Sequence, residues 1–448
     1  MAPHPLSLAR GTLAVLRDLP GQRRIPYLPA ERVRELRDAR VRALVTHAAA
    51  TVPHYRDLFR REGIDPREIR TAEDLERLPL LDRATVVNDP ARLRSEAPSV
   101  CGAVAYRTVG TTGEAVEVHH DPRSLLANIA FGERERAVEA RFAGRAVRYS
   151  TLSISSPTGT GARTRAWYRT QAFVPVRPRH HHVPVLEPVD RVVAELDRLR
   201  PELVGGQGSH LELVFRQLAE QRRRFHRPKA LVYRSDLMTP GGKAFIEHEL
   251  GIPVLSRYNA VEAFKIGFTC EERRSFHLHE DLCHVTVRGP DGRQLRAGER
   301  GEVVISNLVN HATVLLNYRL GDLARIEPEP CGCGRTSRLL SALEGRTSEI
   351  VHFPDGSFVV PNAVWGVLRT RPEVIRYQLV QEGPDRFTIS VVTAEQAAFE
   401  RLAPGIAADL SRLLRGATVA PTWIALSEAG EARKSKQVVA LPRPERGP

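Results

Sequence analysis

The 448-residue chain has no long uninterrupted apolar run, which excludes a helical membrane span, since that requires about 20 such residues. The fairly apolar stretch from Leu6 to Leu19 is broken by Arg10, Arg17 and Asp18, and reads neither as a signal peptide nor as a span. Cysteine is scarce. Five thiols, Cys101, Cys270, Cys283, Cys331 and Cys333, are too few and too unevenly placed for a disulfide framework, so a reducing, cytoplasmic setting is expected. Acids are outnumbered, 53 against 66 Lys and Arg, and the net charge is +13. Such a field attracts phosphates and carboxylates. The arginines are scattered among acids and lack the interleaved aromatic residues of a nucleic-acid groove, so neither nucleic acid nor membrane is an expected partner.

What is present, 42% apolar residues in a chain of this length, predicts two or three domains. Residues 30–62 carry apolar positions near the helix period, interrupted at Pro53. Val104 to Val118 reads as strand, tight turn, strand. Helical stretches near 190–199, 208–221 and 240–250 alternate with short apolar runs at 230–233 and 254–258, the pattern of a parallel or mixed sheet. The Pro/Arg/His segment 175–184 reads as a surface loop, His180, His181 and His182 included. Short strands follow at 284–288, 301–306 and 314–318. The expected fold class is α/β. A large N-terminal domain of mixed sheets and helices spans 1–344, with a β-rich subdomain at about 284–340, and a small α+β lid spans 345–448.

The loop Thr108-Val109-Gly110-Thr111-Thr112-Gly113 offers hydroxyls, and glycines that let backbone N–H groups approach anionic oxygens. It lies between strands and lacks the Lys-Ser/Thr pair of a P-loop, so phosphate cradle and plain hairpin are both open on the loop alone. Cys270, His277, Cys331 and Cys333 supply three thiols and an imidazole suited to tetrahedral Zn²⁺, with His279, Cys283 and His284 as competing ligands.

Downstream of the loop come Tyr258-Asn259-Ala260-Val261-Glu262, Tyr318-Arg319-Leu320-Gly321-Asp322 and Gly345-Arg346-Thr347-Ser348-Glu349, in that order. The set resembles the adenylate-forming superfamily, whose motifs read T-S-G-T-T-G, Y-G-x-T-E, Y-x-T-G-D and G-R-x-x-D. The segments Val52-Pro53-His54-Tyr55-Arg56 and Leu78-Pro79-Leu80-Leu81 resemble its phenylacetate-CoA ligase branch.

The resemblance implies that Thr108, Gly110, Thr111, Thr112 and Gly113 wrap the ATP phosphates, and that Tyr258 and Asn259 lie at the adenine, with Ser235 and Asp236 nearby. Glu262 would help hold Mg²⁺, Asp322 the ribose hydroxyls, and Arg346 the nucleotide. Lys434, or else Lys436, would be the mobile catalytic lysine. The implied reaction converts an aromatic carboxylic acid, bound near Phe131-Gly132 and Gly205-Gly206-Gln207-Gly208, to an acyl-adenylate and then to a CoA thioester. Similar cysteines occur in that branch, in keeping with a structural zinc. A homodimer is compatible with the resemblance.

Departures stand at Val109, Asn259 and Val261, where the family has Ser, Gly and Thr, and at Arg433, where it has Gly before the lysine. In the lid, Phe353-Pro354-Asp355-Gly356 and Trp365-Gly366 replace an Arg-Gly turn and an Ile-Glu pair. They leave the acceptor open: an amine, a hydroxyl or a carrier protein in secondary metabolism is the alternative to CoA. A non-catalytic, basic nucleic-acid-binding protein is the alternative of a different class.

Overall fold

Val33, Val41, Leu44, Val45 and Ala48 line the buried side of helix Ala30–Thr51, and the chain leaves it at Val52 because Pro53 opens the next helix, Pro53–Glu62. The computed structural model describes residues 5–107, 115–173, 178–185, 187–234, 236–355, 357–368, 371, 373–425 and 437–441. The phosphate-loop residues Thr108, Gly110, Thr111, Thr112 and Gly113, together with Ser235, Lys434 and Lys436, lie outside them. The strands flanking that loop, Val104–Arg107 and Glu117–His120, pair antiparallel, as the sequence pattern implies.

An eight-stranded sheet forms the centre of the molecule. Its order is Leu339–Leu340, Phe276–Leu278, Gly267–Thr269, Val254–Tyr258, Ala230–Arg234, Leu203–Gln207, Ser150–Ser155 and Arg179–Pro184. The last five pair in parallel and the first three add antiparallel. A parallel sheet needs cover on both faces. Leu152, Ile154, Val204, Leu231 and Val254 pack on one face against helices Val189–Leu199, Gly208–Glu220 and Pro240–His248. Leu203, Ala230, Val232 and Leu255 pack on the other against Val138, Ala140 and Ala143 of helix Glu133–Ala143.

Two expectations are corrected. Residues 179–184 are the edge strand of this sheet rather than a loop, with Thr151 opposite His180 and Ser153 opposite His182. Of these six residues only Val183 is buried, so the strand carries no apolar alternation to announce it. The third strand of the β-rich unit is Tyr318–Ala324 rather than 314–318. Val314, Leu315 and Leu316 are buried as coil, and Asn317, with φ 51°, turns the chain into the strand. That strand, Gly301–Asn307 and Cys283–Arg288 form an antiparallel three-stranded sheet.

Toward the C-terminus, strands Thr418–Ala425, Arg386–Thr393, Arg376–Gly383 and Val438–Val439 make a separate sheet, in that order. It has its own core, in which Val364, Leu368, Leu379, Ile389, Ile406 and Leu410 are fully buried. This unit touches the rest through Ile375, Val392 and Ile424 on Leu213, and through Trp365 on Gly241, where a Cβ would come 2.7 Å from the indole. No described helix is long and apolar enough to cross a membrane.

Candidate functional site

Strand Val254–Tyr258 ends in a tight turn, Ala260 and Ala263 exchanging backbone hydrogen bonds, and this turn carries Glu262. Three side chains hold it. Asn307 Nδ2 donates to the Glu262 carbonyl at 2.9 Å, and Asn259 Nδ2 to the Phe264 carbonyl at 2.8 Å. His120 Nε2 bonds the Val261 carbonyl at 2.7 Å and its ring stacks on Phe264 at 4.3 Å. Burial depresses His120 to about 4, so the ring is neutral and its proton sits on Nε2.

The Glu262 carboxylate thus enters the interior with little to meet it. Among the described side chains it meets the Tyr318 hydroxyl at 3.4 Å, a weak contact. Burial raises its pKa, partly countered by a hydrogen bond from its own backbone N–H and then by the more distant Arg346 and Arg83. A buried carboxylate so poorly compensated is a costly arrangement that a bound cation would relieve.

Beside it, Tyr258 donates its hydroxyl to Asp322 Oδ2 at 2.7 Å, and Arg346 Nε lies 3.3 Å from Asp322 Oδ1. Burial, then the Asp322 charge, raises the Tyr258 phenol well above its ordinary range; Asp322 likewise raises Arg346. Asp322 and Arg346 are backbone bridge partners, and Gly345 makes that possible: its φ is +112° and a Cβ there would lie 2.7 Å from Pro361. Four residues from three separate motifs, Tyr258, Glu262, Asp322 and Arg346, therefore form one cluster. Asp236 stands apart, accepting from Ser209 Oγ at 2.6 Å at the start of helix Gly208–Glu220.

Some participants escape sequence reasoning. Arg83 faces both Tyr318 and Glu262, two residues beyond the Leu78-Pro79-Leu80-Leu81 segment. His120 and Asn307 position the Glu262 turn through backbone carbonyls, a task that leaves no motif.

Cys270, His277, Cys331 and Cys333 converge as well, their ligand atoms all within 4.8 Å of one another. Cys270 Sγ is 3.6 Å from Cys331 Sγ, and Cys333 Sγ is 3.3 Å from His277 Nε2, whose Nδ1 meets Ser337 Oγ at 3.1 Å. Burial pushes the Cys270 thiol up to about 12 and His277 down to about 4. The competing ligands are placed elsewhere: His279 turns to Glu135 at 3.4 Å, while Cys283 and His284 are buried in another strand.

No family model matches the chain. It is 28% identical over 370 residues to the phenylacetate-coenzyme A ligase of Thermus thermophilus, covering 80% of each chain. Among solved structures, 2-hydroxyisobutyryl-CoA ligase in its postadenylation state matches with a TM-score of 0.74 at 18% identity, over 95% of this chain and 92% of that one. An amide bond synthetase from Marinactinospora thermotolerans matches with a TM-score of 0.52 at 18% identity, over 79% of this chain and 74% of that one.

Proposed function

We infer that this chain, an adenylate-forming ligase in sequence likeness and fold, activates an aromatic carboxylic acid with ATP and passes the acyl group to CoA. The observation that carries the reading is Glu262, a buried carboxylate that meets no cation within salt-bridge distance among the described residues, only its own backbone N–H and the Tyr318 hydroxyl, beside the Tyr258, Asp322 and Arg346 cluster. In the reading, Asp322 accepts from the ribose hydroxyls, Tyr258 and Asn259 flank the base, and Asn259 Oδ1, buried without a partner among the described residues, is free to accept. The Gly/Thr loop cradles the phosphates, and Arg346 adds positive charge.

Attack of the substrate carboxylate on the α-phosphorus expels pyrophosphate, so charge placed near the bridging oxygen lowers the barrier. The chain has five lysines. Lys265 is bound to Glu135 at 2.7 Å, Lys229 to the Ala143 carbonyl at 2.7 Å, and Lys243 to the Arg273 carbonyl. That leaves Lys434 and Lys436 for the mobile cation, on a lid spanning 345–448. Glu262 fits Mg²⁺, which takes one or two carboxylates beside phosphate oxygens and would neutralise charge on the leaving pyrophosphate. The Cys270, His277, Cys331, Cys333 set fits structural Zn²⁺. A tetrahedron with bonds of ~2.3 Å has edges of ~3.8 Å, near the 3.6 Å between Cys270 and Cys331.

Acid-dependent exchange of labelled pyrophosphate into ATP, across a panel of aromatic acids, tests the reading. ATP binding without exchange for any acid would overturn it. The second reading, transfer to an amine, hydroxyl or carrier protein, is favoured by the fold shared with the amide bond synthetase. Products formed with and without CoA separate the two.

A further inference from the structure

The main sheet carries a feature that a plain aryl pocket does not need. In-register residues of parallel neighbours share a face. Hence His182, Ser153, Gly205 and Val232 form one row, and Gln207 and Arg234 the next toward the C-terminal strand ends, where open α/β sheets bind ligands. Along this face helix Glu133–Ala143 covers Leu203, Ala230 and Val232, and beyond them the row turns polar. The Arg234 guanidinium extends over Gly205, Nη2 lying 3.4 Å from where a Cβ would stand. Arg165, from helix Thr160–Gln171, lies within its field, as does His180. His180 Nδ1 bonds Thr151 Oγ1 at 2.9 Å, while Nε2 is buried without a partner among the described residues.

Neither Arg165 nor Arg234 pairs with an acid among the described residues. Glu135 and Glu139 act on Arg234, but Glu135 is taken by Lys265 at 2.7 Å and Arg257 at 3.1 Å, and Glu139 by Arg257. Burial, then Arg257, pulls Arg234 down to about 10; burial lowers Arg165 and brings His180 to about 3. Arg165 and Arg234 are half-buried, and two like charges that face each other beside an unpaired imidazole nitrogen repel in the free protein. A planar anion that accepts from both arginines removes that cost.

We propose that the acid activated by this enzyme carries a second anionic group, held by Arg234 and Arg165 on the face of the main sheet while its first carboxylate is adenylated. The assignment rests on the acyl-adenylate reading and narrows its substrate class to dicarboxylic acids. Pyrophosphate exchange with matched pairs, phenylacetate against 4-carboxyphenylacetate and hexanoate against adipate, tests it. The diacid is expected to exceed its partner at least about 10-fold in kcat/KM. Arg234→Gln or Arg165→Gln lowers diacid turnover about 10- to 100-fold and changes monoacid turnover little. Arg234→Lys, which keeps the charge but loses the fork, falls between and covers the case in which the glutamine variant does not fold.

Equal or lower kcat/KM for both diacids, with robust exchange for the monoacids, overturns the proposal and leaves adenylation standing. Exchange with no acid overturns adenylation. The Arg234 and Arg165 site is then judged by calorimetric titration of 4-carboxyphenylacetate: binding abolished by Arg234→Gln upholds it, and absence of binding overturns it.

Discussion

Two groups of buried carboxylates in this molecule are treated in opposite ways. Glu135 meets Lys265, Arg257 and His279, and Asp281 meets Arg134 at 2.6 and 2.9 Å and Arg40 at 2.6 Å. Both are held well below the usual carboxylate range, desolvation being outweighed by those cations. Glu262 is as deeply buried but, among the described side chains, has only the Tyr318 hydroxyl within hydrogen-bond distance, and burial raises its pKa. Of the saturated acids, Glu135 ties helix Glu133–Ala143 to strand Val254–Tyr258, and Asp281 ties the same helix to helix Ala30–Thr51. In the proposed function, the unsaturated one is the group that a bound cation would neutralise. Removing a saturated carboxylate should therefore cost stability, and removing the unsaturated one should cost activity.

The largest effect expected is that of Glu135→Ala, which takes from Lys265 its salt bridge and leaves Arg257 with Glu139 alone. A loss of about 3–5 kcal/mol in urea unfolding is predicted. Glu262→Gln should lower pyrophosphate exchange about 10²–10³-fold while leaving the apo protein as stable or raising its Tm by ~1–2 °C. A large loss of stability in that variant would erase the contrast. Asp322→Asn keeps an acceptor for Tyr258 but removes the charge facing Arg346. It should raise the KM for ATP about 10-fold with a smaller change in kcat.

The smallest effects are in pH dependence. His120 and His180, depressed to about 4 and 3, are neutral when folded, so they take up protons more readily when unfolded. Their share of the stability is present above about pH 6.5 and declines as the pH falls below it. Glu262 acts in the reverse sense. Its raised pKa gives stability below about pH 4.5 that is lost as pH rises through the shifted value. Unfolding midpoints of wild type and Glu262→Gln should therefore diverge as pH rises from about 4.5.

Much of the architecture was legible because it rests on periodicity. The helices at 30–62, interrupted by Pro53, and the alternation from 189 to 258 follow from where apolar residues recur. The edge strand Arg179–Pro184 was not legible, since an edge exposed to solvent needs no apolar face. Val314–Leu316 misled in the opposite direction: a buried coil has the composition of a strand. In the site, Glu262, Asp322 and Arg346 were readable from motifs, and the Cys/His set from donor chemistry, down to Cys270, His277, Cys331 and Cys333 converging. Arg83, His120 and Arg234 were not, because each gains its meaning from a neighbour far away in sequence.

By itself, then, the order of residues determined which chemical groups exist, the local elements that carry them and the ATP-activating class that the motifs imply. Tertiary structure decided how each charge is compensated. Whether a buried carboxylate or guanidinium is neutralised depends on partners brought within about 3 Å by the sheet and its helices, where low polarity magnifies every match and every mismatch. That is why Glu135 and Glu262, indistinguishable as letters, hold opposite positions in the molecule, and why Arg234 stands out only once Gly205 is seen beneath it.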